Sequence, residues 1–164
     1  MNIIFSTQNF ILLIAALINL FMAIFVFRRG IKNKINLYFG LLTFFNFLWA
    51  FSLLMSKLLH NDLTAEICYR TAYFSAIGIA VSLYYFCLHY PYKNKVIHKI
   101  VNFFIILGSL FLSILVYTKV HVVSFIRSQN LAHWQLVYNR GFYIIYSLIF
   151  FILIVSAIYF LVDK

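Results

Sequence analysis

The sequence predicts an all-α, polytopic membrane helix bundle with about five transmembrane helices. Hydrophobic residues make up 65% of the 164 residues and charged residues only 10%, whereas soluble domains carry roughly 25% charged residues. The apolar residues form long runs, and short segments between the runs contain most of the Lys and Arg residues. A water-soluble fold of this length has too little interior to bury so much apolar surface, so lipid is the expected solvent for most of the chain.

Five runs have about the ~20-residue length that crosses a bilayer core. They form a single transmembrane domain, residues 1–164, with predicted spans at residues 10–27, 35–57, 68–90, 100–119 and 141–162. None of the five spans contains Asp or Glu. Proton relays and ion-coupled transporters usually place carboxylates inside the membrane, so ion pumping is disfavoured.

Short basic loops predict the orientation of the chain. The first and third loops together contain seven basic residues: Arg28, Arg29, Lys32, Lys34, Lys93, Lys95 and Lys99. The positive-inside rule places both loops in the cytoplasm. The N-terminus is then outside, the C-terminus is cytoplasmic, and the segment from Lys119 to Arg140 is an outer loop.

Several function classes are excluded or disfavoured. The net charge of +10 is scattered between apolar runs and is not gathered on one face, so no nucleic-acid partner is expected. The chain has no phosphate-binding loop, hydrolase elbow or metalloprotease motif, so the chain itself is not expected to be an enzyme. His60, His121 and His133 fall on the predicted outer side but lack the spacing of metal ligands, so no metal and no cofactor are expected.

The third span has a stripe of mostly small residues. Its members recur at spacings of three and four, which places them on one helix face: Cys68, Thr71, Ser75, Gly78 and Ser82. Small residues allow helix backbones to approach closely in lipid, so the stripe predicts a packing seam. A seam that slides or rotates to carry a signal is the alternative, and the sequence does not separate the two.

Two amides lie inside predicted spans, Asn19 in the first and Asn46 in the second. Lipid contains no water to satisfy an amide, so each is expected to form a hydrogen bond to a neighbouring helix. A structural role of this kind is favoured over a contact with a ligand.

Aromatic and basic residues gather at the predicted outer ends of the helices. Five of them are candidate ligand-binding residues: Trp49, Arg70, Tyr73, Arg140 and Tyr143. In a ligand pocket, the two arginines would bind an acidic group and the rings would supply apolar contact. The alternative is an interfacial aromatic belt in which the arginines extend to the lipid headgroups.

The order of short motifs along the chain suggests a family. A basic turn at residues 27–30 is followed by the segments 36–42, 69–73, 85–90 and 138–146, with Trp49 inside the second span. This arrangement resembles the N-terminal seven-transmembrane sensor region of bacterial histidine kinases, which is also found in some diguanylate cyclases. The resemblance covers most of the chain, although the family usually has a proline within span three and the sole proline here, Pro91, lies beyond it.

The resemblance implies a membrane-embedded sensory input module of a signal-transduction protein, located in the inner (plasma) membrane of a bacterium. Since the family continues through two more helices into cytoplasmic signalling modules, the chain is expected to be a fragment without its catalytic output domain, or a reduced relative. The expected partners are the lipid bilayer, a small ligand or membrane signal and, in a homodimer, a second copy of the chain. The alternative function is a small membrane transporter or transporter subunit.

Overall fold

The computed structural model describes residues 7–59, 61–90, 99–118, 122–127 and 134–162. Five helices and one two-stranded sheet follow one another along these residues. In chain order they are α1 (Thr7–Arg28), α2 (Lys34–Leu58), α3 (Asp62–His89), α4 (Lys99–Val116), β1 (Val122–Arg127), β2 (Trp134–Tyr138) and α5 (Arg140–Val162). The predicted all-α membrane bundle is confirmed, and the hairpin is an addition to it.

Asparagine side chains begin three of the helices. The side-chain oxygen of Asn33 accepts a hydrogen bond from the backbone N–H of Ile35, and that of Asn61 accepts one from Leu63, each at 3.0 Å. Asn139 does the same for Gly141 at 3.1 Å. Each cap satisfies a backbone donor that the first turn of a helix leaves without an intrahelical partner, so the short polar segments of the sequence set where the helices start.

Helix α3 lies at the centre of the bundle. Contacts between rings pair Phe39 with Phe86 and Phe45 with Phe74, so α2 and α3 are antiparallel. Helix α5 packs against another side of α3 and runs parallel to it, because Tyr146 contacts Tyr73 near one end of α3 and a second pair of rings meets near the other end. Helix α4 also packs on α3, while α1 packs mainly on α2.

Close helix approach depends on two glycines. A Cβ atom on Gly40 would lie 2.5 Å from the Phe27 ring of α1, and one on Gly78 would lie 2.5 Å from the Phe45 ring of α2. Real Cβ atoms do not come this close to other carbons, so both positions exclude a side chain without rearrangement. At these two positions α1 packs on α2, and α2 packs on α3, against backbone that only a glycine leaves uncovered.

Four of the described helices, α1, α2, α3 and α5, are long and apolar enough to cross a membrane. Helix α4 has 18 residues, a length of about 27 Å at 1.5 Å per residue, which is close to the ~30 Å hydrocarbon core. Large apolar side chains are exposed along the outer faces of the bundle, especially on α1, α4 and α5. In a bilayer these faces contact lipid, so the exposed surface has the composition that a membrane protein requires.

The segment between α4 and α5, predicted to be an outer loop, contains a hairpin. Strands β1 and β2 are antiparallel, with an irregular register between Val122 and Ser124. We call the end of the bundle that carries this hairpin the hairpin end. The connection between α2 and α3 lies at the same end, because α3 begins where α4 ends.

The two intramembrane amides do not form the expected bonds between helices. Asn19 donates to the carbonyl oxygen of Ala15 at 2.8 Å, and Asn46 donates to that of Leu42 at 2.9 Å. Each bond returns four residues along the same helix, which satisfies the amide within its own helix. The prediction that these side chains join neighbouring helices was therefore wrong.

Candidate functional site

A cleft lies between α2, α3 and α5 at the hairpin end and has a volume of about 480 Å³. We call it the aromatic cleft, because seven of its eleven lining residues are aromatic. The lining residues are Trp49, Leu53, Tyr69, Ala72, Tyr73, Ala76, Tyr143, Tyr146, Ser147, Phe150 and Phe151. This volume falls within the range of ~300–1,000 Å³ that is typical of small-molecule sites.

The wall between α3 and α5 is ordered by contacts among aromatic side chains. The hydroxyl of Tyr146 donates a hydrogen bond to the carbonyl oxygen of Tyr73 at 2.9 Å, and the two rings meet edge to face at 5.8 Å. The Tyr146 ring also lies parallel to that of Phe150, with centroids 6.5 Å apart. The contacts between Tyr146 and Tyr73 hold α3 against α5 along this wall of the cleft.

The chemistry of the aromatic cleft favours a neutral ligand. None of the eleven lining residues carries a charge. Tyrosine and serine hydroxyls offer hydrogen bonds, and the remaining surface is aromatic or aliphatic. Such a lining suits a mainly apolar molecule with one or two hydrogen-bonding groups, and it does not supply the charge that an acidic ligand would need.

Arg70 is engaged inside the protein. Its guanidinium donates to the Glu66 carboxylate at 2.6 and 2.8 Å and to the carbonyl oxygens of Val116 and Thr118 at 2.7 and 2.6 Å. The residue is only 6% exposed, and it does not line the aromatic cleft. A cation at the carbonyl end of a helix interacts favourably with the helix dipole, so Arg70 joins the end of α4 to α3.

Arg140 does not line the aromatic cleft. It is the first residue of α5 and is exposed, directly after the Asn139 cap. The structure therefore brings together Trp49, Tyr73 and Tyr143 of the five predicted ligand-binding residues and leaves the two arginines outside the group. A ligand-binding role of any of the five stays a prediction.

Of the residues that α5 contributes to the cleft, the sequence predicted only Tyr143. Tyr146, Ser147 and Phe150 follow Tyr143 at intervals of three, four and seven residues, which places all four on one helical face. That spacing could have identified them. It was overlooked because the run from Gly141 to Val162 is apolar on every side, so no stripe stands out by polarity.

The predicted seam on α3 faces two neighbours. Thr71 lies 3.2 Å, oxygen to oxygen, from the hydroxyl of Tyr117 at the end of α4, and Gly78 packs on Phe45 of α2. Ser75 is fully buried and donates to the carbonyl oxygen of Thr71. Cys68 is a free, partly exposed thiol, and Ser82 is buried. The stripe therefore lies between α2 and α4.

The histidines considered as metal ligands, His60, His121 and His133, lie outside the described residues. Within the part of the chain that is described, no group of three or more His, Cys, Asp or Glu is arranged to hold a metal ion.

The fold and the cleft define a polytopic helical membrane protein whose helices enclose a small-molecule-sized site within the bundle. Over residues 11–164 the chain matches the family described as the N-terminal 7TM region of histidine kinase. Since this match covers nearly the whole sequence, the chain belongs to that family, and the predicted resemblance is confirmed. Comparisons with curated proteins and with solved structures gave no match. Membership places the chain among membrane proteins of signal transduction.

Proposed function

We propose that the chain is the sensory input module of a bacterial histidine kinase and that the aromatic cleft receives the signal. The main support for this proposal is the position of the cleft, because its lining includes Tyr73 and Tyr146, which join α3 to α5. A ligand that binds one packing of these helices more tightly shifts the equilibrium toward that packing. Helix α5 then carries the shift to the opposite end of the bundle, toward a signalling output domain. The chain itself performs no catalysis in this proposal.

The expected ligand is neutral and mainly apolar, and it reaches the cleft from the bilayer or from the outer surface. Trp49 and Tyr143 are 41% and 43% exposed, so a ligand contacts them without first opening the packed core. This ligand differs from the acidic one that a pocket containing Arg70 and Arg140 would bind.

A covalent probe tests whether the cleft controls output. We use the chain joined to a histidine kinase output domain, with Cys68 and Cys87 replaced by alanine and Ser147→Cys introduced. Modification with benzyl methanethiosulfonate places a ring in the cleft. We expect autophosphorylation to change at least about fivefold, which corresponds to a coupling free energy of about 1 kcal/mol.

The matched control is Ser156→Cys, which lies on the same helix and does not line the aromatic cleft. Its modification is expected to leave autophosphorylation unchanged within about twofold. The proposed role of the cleft would be contradicted if the two variants responded equally. It would also be contradicted if the Ser147→Cys variant did not respond after complete labelling.

The proposed location is the inner membrane of a bacterium, with the hairpin end outside. In the same background without native cysteines, a cysteine in place of Asp62 should react with an impermeant maleimide in intact cells, because Asp62 is exposed at the hairpin end. A cysteine in place of Lys32, in the basic turn between α1 and α2, should react only after the cells are permeabilised. The reverse pattern of labelling would overturn the orientation.

A further inference from the structure

A second cleft lies between α2, α3 and α4, separate from the aromatic cleft, and has a volume of about 410 Å³. We call it the hydroxyl cleft, because six of its fourteen lining residues carry a hydroxyl or an amide: Tyr38, Ser82, Tyr85, Asn102, Ser109 and Ser113. Most of the other lining residues are large and apolar, including Leu41, Ile106 and Leu110. From Asn102 to Ser113 the cleft follows α4 for about 16 Å, roughly half of the ~30 Å hydrocarbon core.

The polar end of the hydroxyl cleft lies opposite the hairpin end. There the hydroxyl of Tyr85 forms a hydrogen bond with the side-chain oxygen of Asn102. The Tyr38 ring lies 5.2 Å from the ring of Tyr85 and 5.2 Å from that of His89, measured between centroids. Side chains from three helices therefore form a polar mouth near the membrane surface, and the apolar walls begin beyond it.

Ser82 contributes a hydroxyl to the wall of this cleft. It is 4% exposed and lines the cleft. Ser113, which also lines the cleft, donates to the carbonyl oxygen of Ser109 four residues earlier in its helix. A hydroxyl both donates and accepts hydrogen bonds, so this wall can bond to an oxygen atom of a molecule in the cleft.

Positive charge lies next to the mouth of the hydroxyl cleft. Lys34 is exposed and lies one turn before Tyr38 on the same face of α2. The acidic residues among those described, Asp62 and Glu66, lie at the hairpin end. The mouth therefore attracts a negatively charged group, while the walls beyond it suit a hydrocarbon chain.

We propose that the hydroxyl cleft binds an anionic membrane phospholipid. Its phosphate lies near Lys34 at the mouth, and one acyl chain lies against the apolar wall that includes Ile106 and Leu110. Basic pockets between transmembrane helices are suited to anionic headgroups, and the length of this cleft matches one leaflet of the bilayer. Bound in this way, the lipid fills the gap between α2 and α4 beside the α3 seam and stabilises one packing of these helices.

The test uses the purified chain in a neutral detergent, with thermal stability followed during addition of phosphatidylglycerol, phosphatidylcholine or inorganic phosphate. Phosphatidylglycerol is expected to raise the Tm more than phosphatidylcholine does, and phosphate alone to leave it unchanged. Lys34→Gln should weaken the apparent affinity for phosphatidylglycerol about fivefold, the effect of one lysine near a charged lipid surface. Lys57→Gln, at the other end of α2, should change it less than twofold.

A second pair of variants tests the cleft itself. Ser109→Leu narrows the hydroxyl cleft and is expected to abolish the preference for phosphatidylglycerol, while Ser156→Leu on α5 preserves it. Native mass spectrometry of the folded fraction counts the retained phosphatidylglycerol independently of stability. Equal effects of the two lipids, equal effects of the two lysine variants, or a full effect of inorganic phosphate would each overturn the proposal. None of these outcomes affects the aromatic cleft, which shares no lining residue with the hydroxyl cleft.

Discussion

Replacing Arg70 with alanine is expected to destabilise the folded chain by about 2–4 kcal/mol. The guanidinium is the donor for the carbonyl oxygens of Val116 and Thr118 at the end of α4, and its loss leaves both without that bond. The carboxylate of Glu66 also loses its ion-pair partner. Since the Glu66 side chain is 34% exposed, water partly replaces that partner, and the lost carbonyl contacts contribute most of the effect.

Two further variants show whether the positive charge of Arg70 is sufficient or whether the geometry of its hydrogen-bond donors is also needed. Arg70→Lys keeps the charge but not the planar set of donors that reaches Glu66 and α4 together, so we expect it to lose about half as much stability as alanine does. Arg140→Ala is the matched control, because Arg140 is exposed at the start of α5, and a change below about 0.5 kcal/mol is expected.

Reversible unfolding in mixed detergent micelles measures these differences. If Arg70→Ala and Arg140→Ala have equal stability, the junction between α3 and α4 does not contribute as proposed. A signalling defect in Arg70→Lys with unchanged stability would instead favour the ligand-binding role that the sequence suggested for Arg70.

The number and the approximate places of the helices follow from the sequence because lipid imposes them. A span must be apolar and about 20 residues long, and each of the five apolar runs contains a helix. Helix α3 begins at Asp62, earlier than its predicted span, because an asparagine cap and a polar first turn extend it beyond the apolar run. The polarity of the sequence is a good indicator of which residues lie inside the membrane, but it is a poor indicator of where a helix begins or ends.

Which helix occupies the centre is harder to infer from the sequence. In a soluble protein the buried face is the apolar one, but in a bilayer both lipid-facing and protein-facing surfaces are apolar. Gly78 of the small stripe lies close to the Phe45 ring of α2, yet Ala80, outside that stripe, is fully buried against α5. Helix α3 contacts neighbours on several sides, and a single stripe describes only one of them.

The candidate site shows the same limit. The sequence indicates only the depth of a residue in the membrane, and on that basis it groups Trp49, Tyr73 and Tyr143. The structure places all three around one cleft. Depth does not distinguish a residue that faces the cleft from one that bonds inside the bundle, so Arg70 was grouped with them. Its acidic neighbour four residues earlier, Glu66, was the available signal, since oppositely charged residues at this spacing pair on a helix.

Replacing Gly78 with isoleucine is expected to cost about 1–3 kcal/mol more stability than replacing Gly108 with isoleucine. Both glycines lie inside helices, so the intrinsic effect of the new side chain on helix formation is similar in the two variants. A Cβ atom at Gly78 would lie 2.5 Å from carbon atoms of the Phe45 ring, whereas nothing lies within 4 Å of the equivalent position at Gly108. The Phe45 ring also contacts Phe74, with centroids 6.0 Å apart, which limits how far it can move.

A double-mutant cycle identifies the cause of that loss. If the Phe45 ring is the obstacle, Gly78→Ile should cost about 1–2 kcal/mol less in a Phe45→Ala background than in the native one, a coupling typical of residues in contact. Unfolding of the four proteins in mixed micelles supplies the cycle, and Gly108→Ile in both backgrounds controls for general loosening of the bundle. Additive effects of the two substitutions would show that the close approach of α2 and α3 at Gly78 does not limit the packing. A coupling found only with Gly78 would place the tightest contact between these helices at this glycine, beside the hydroxyl cleft that it also lines.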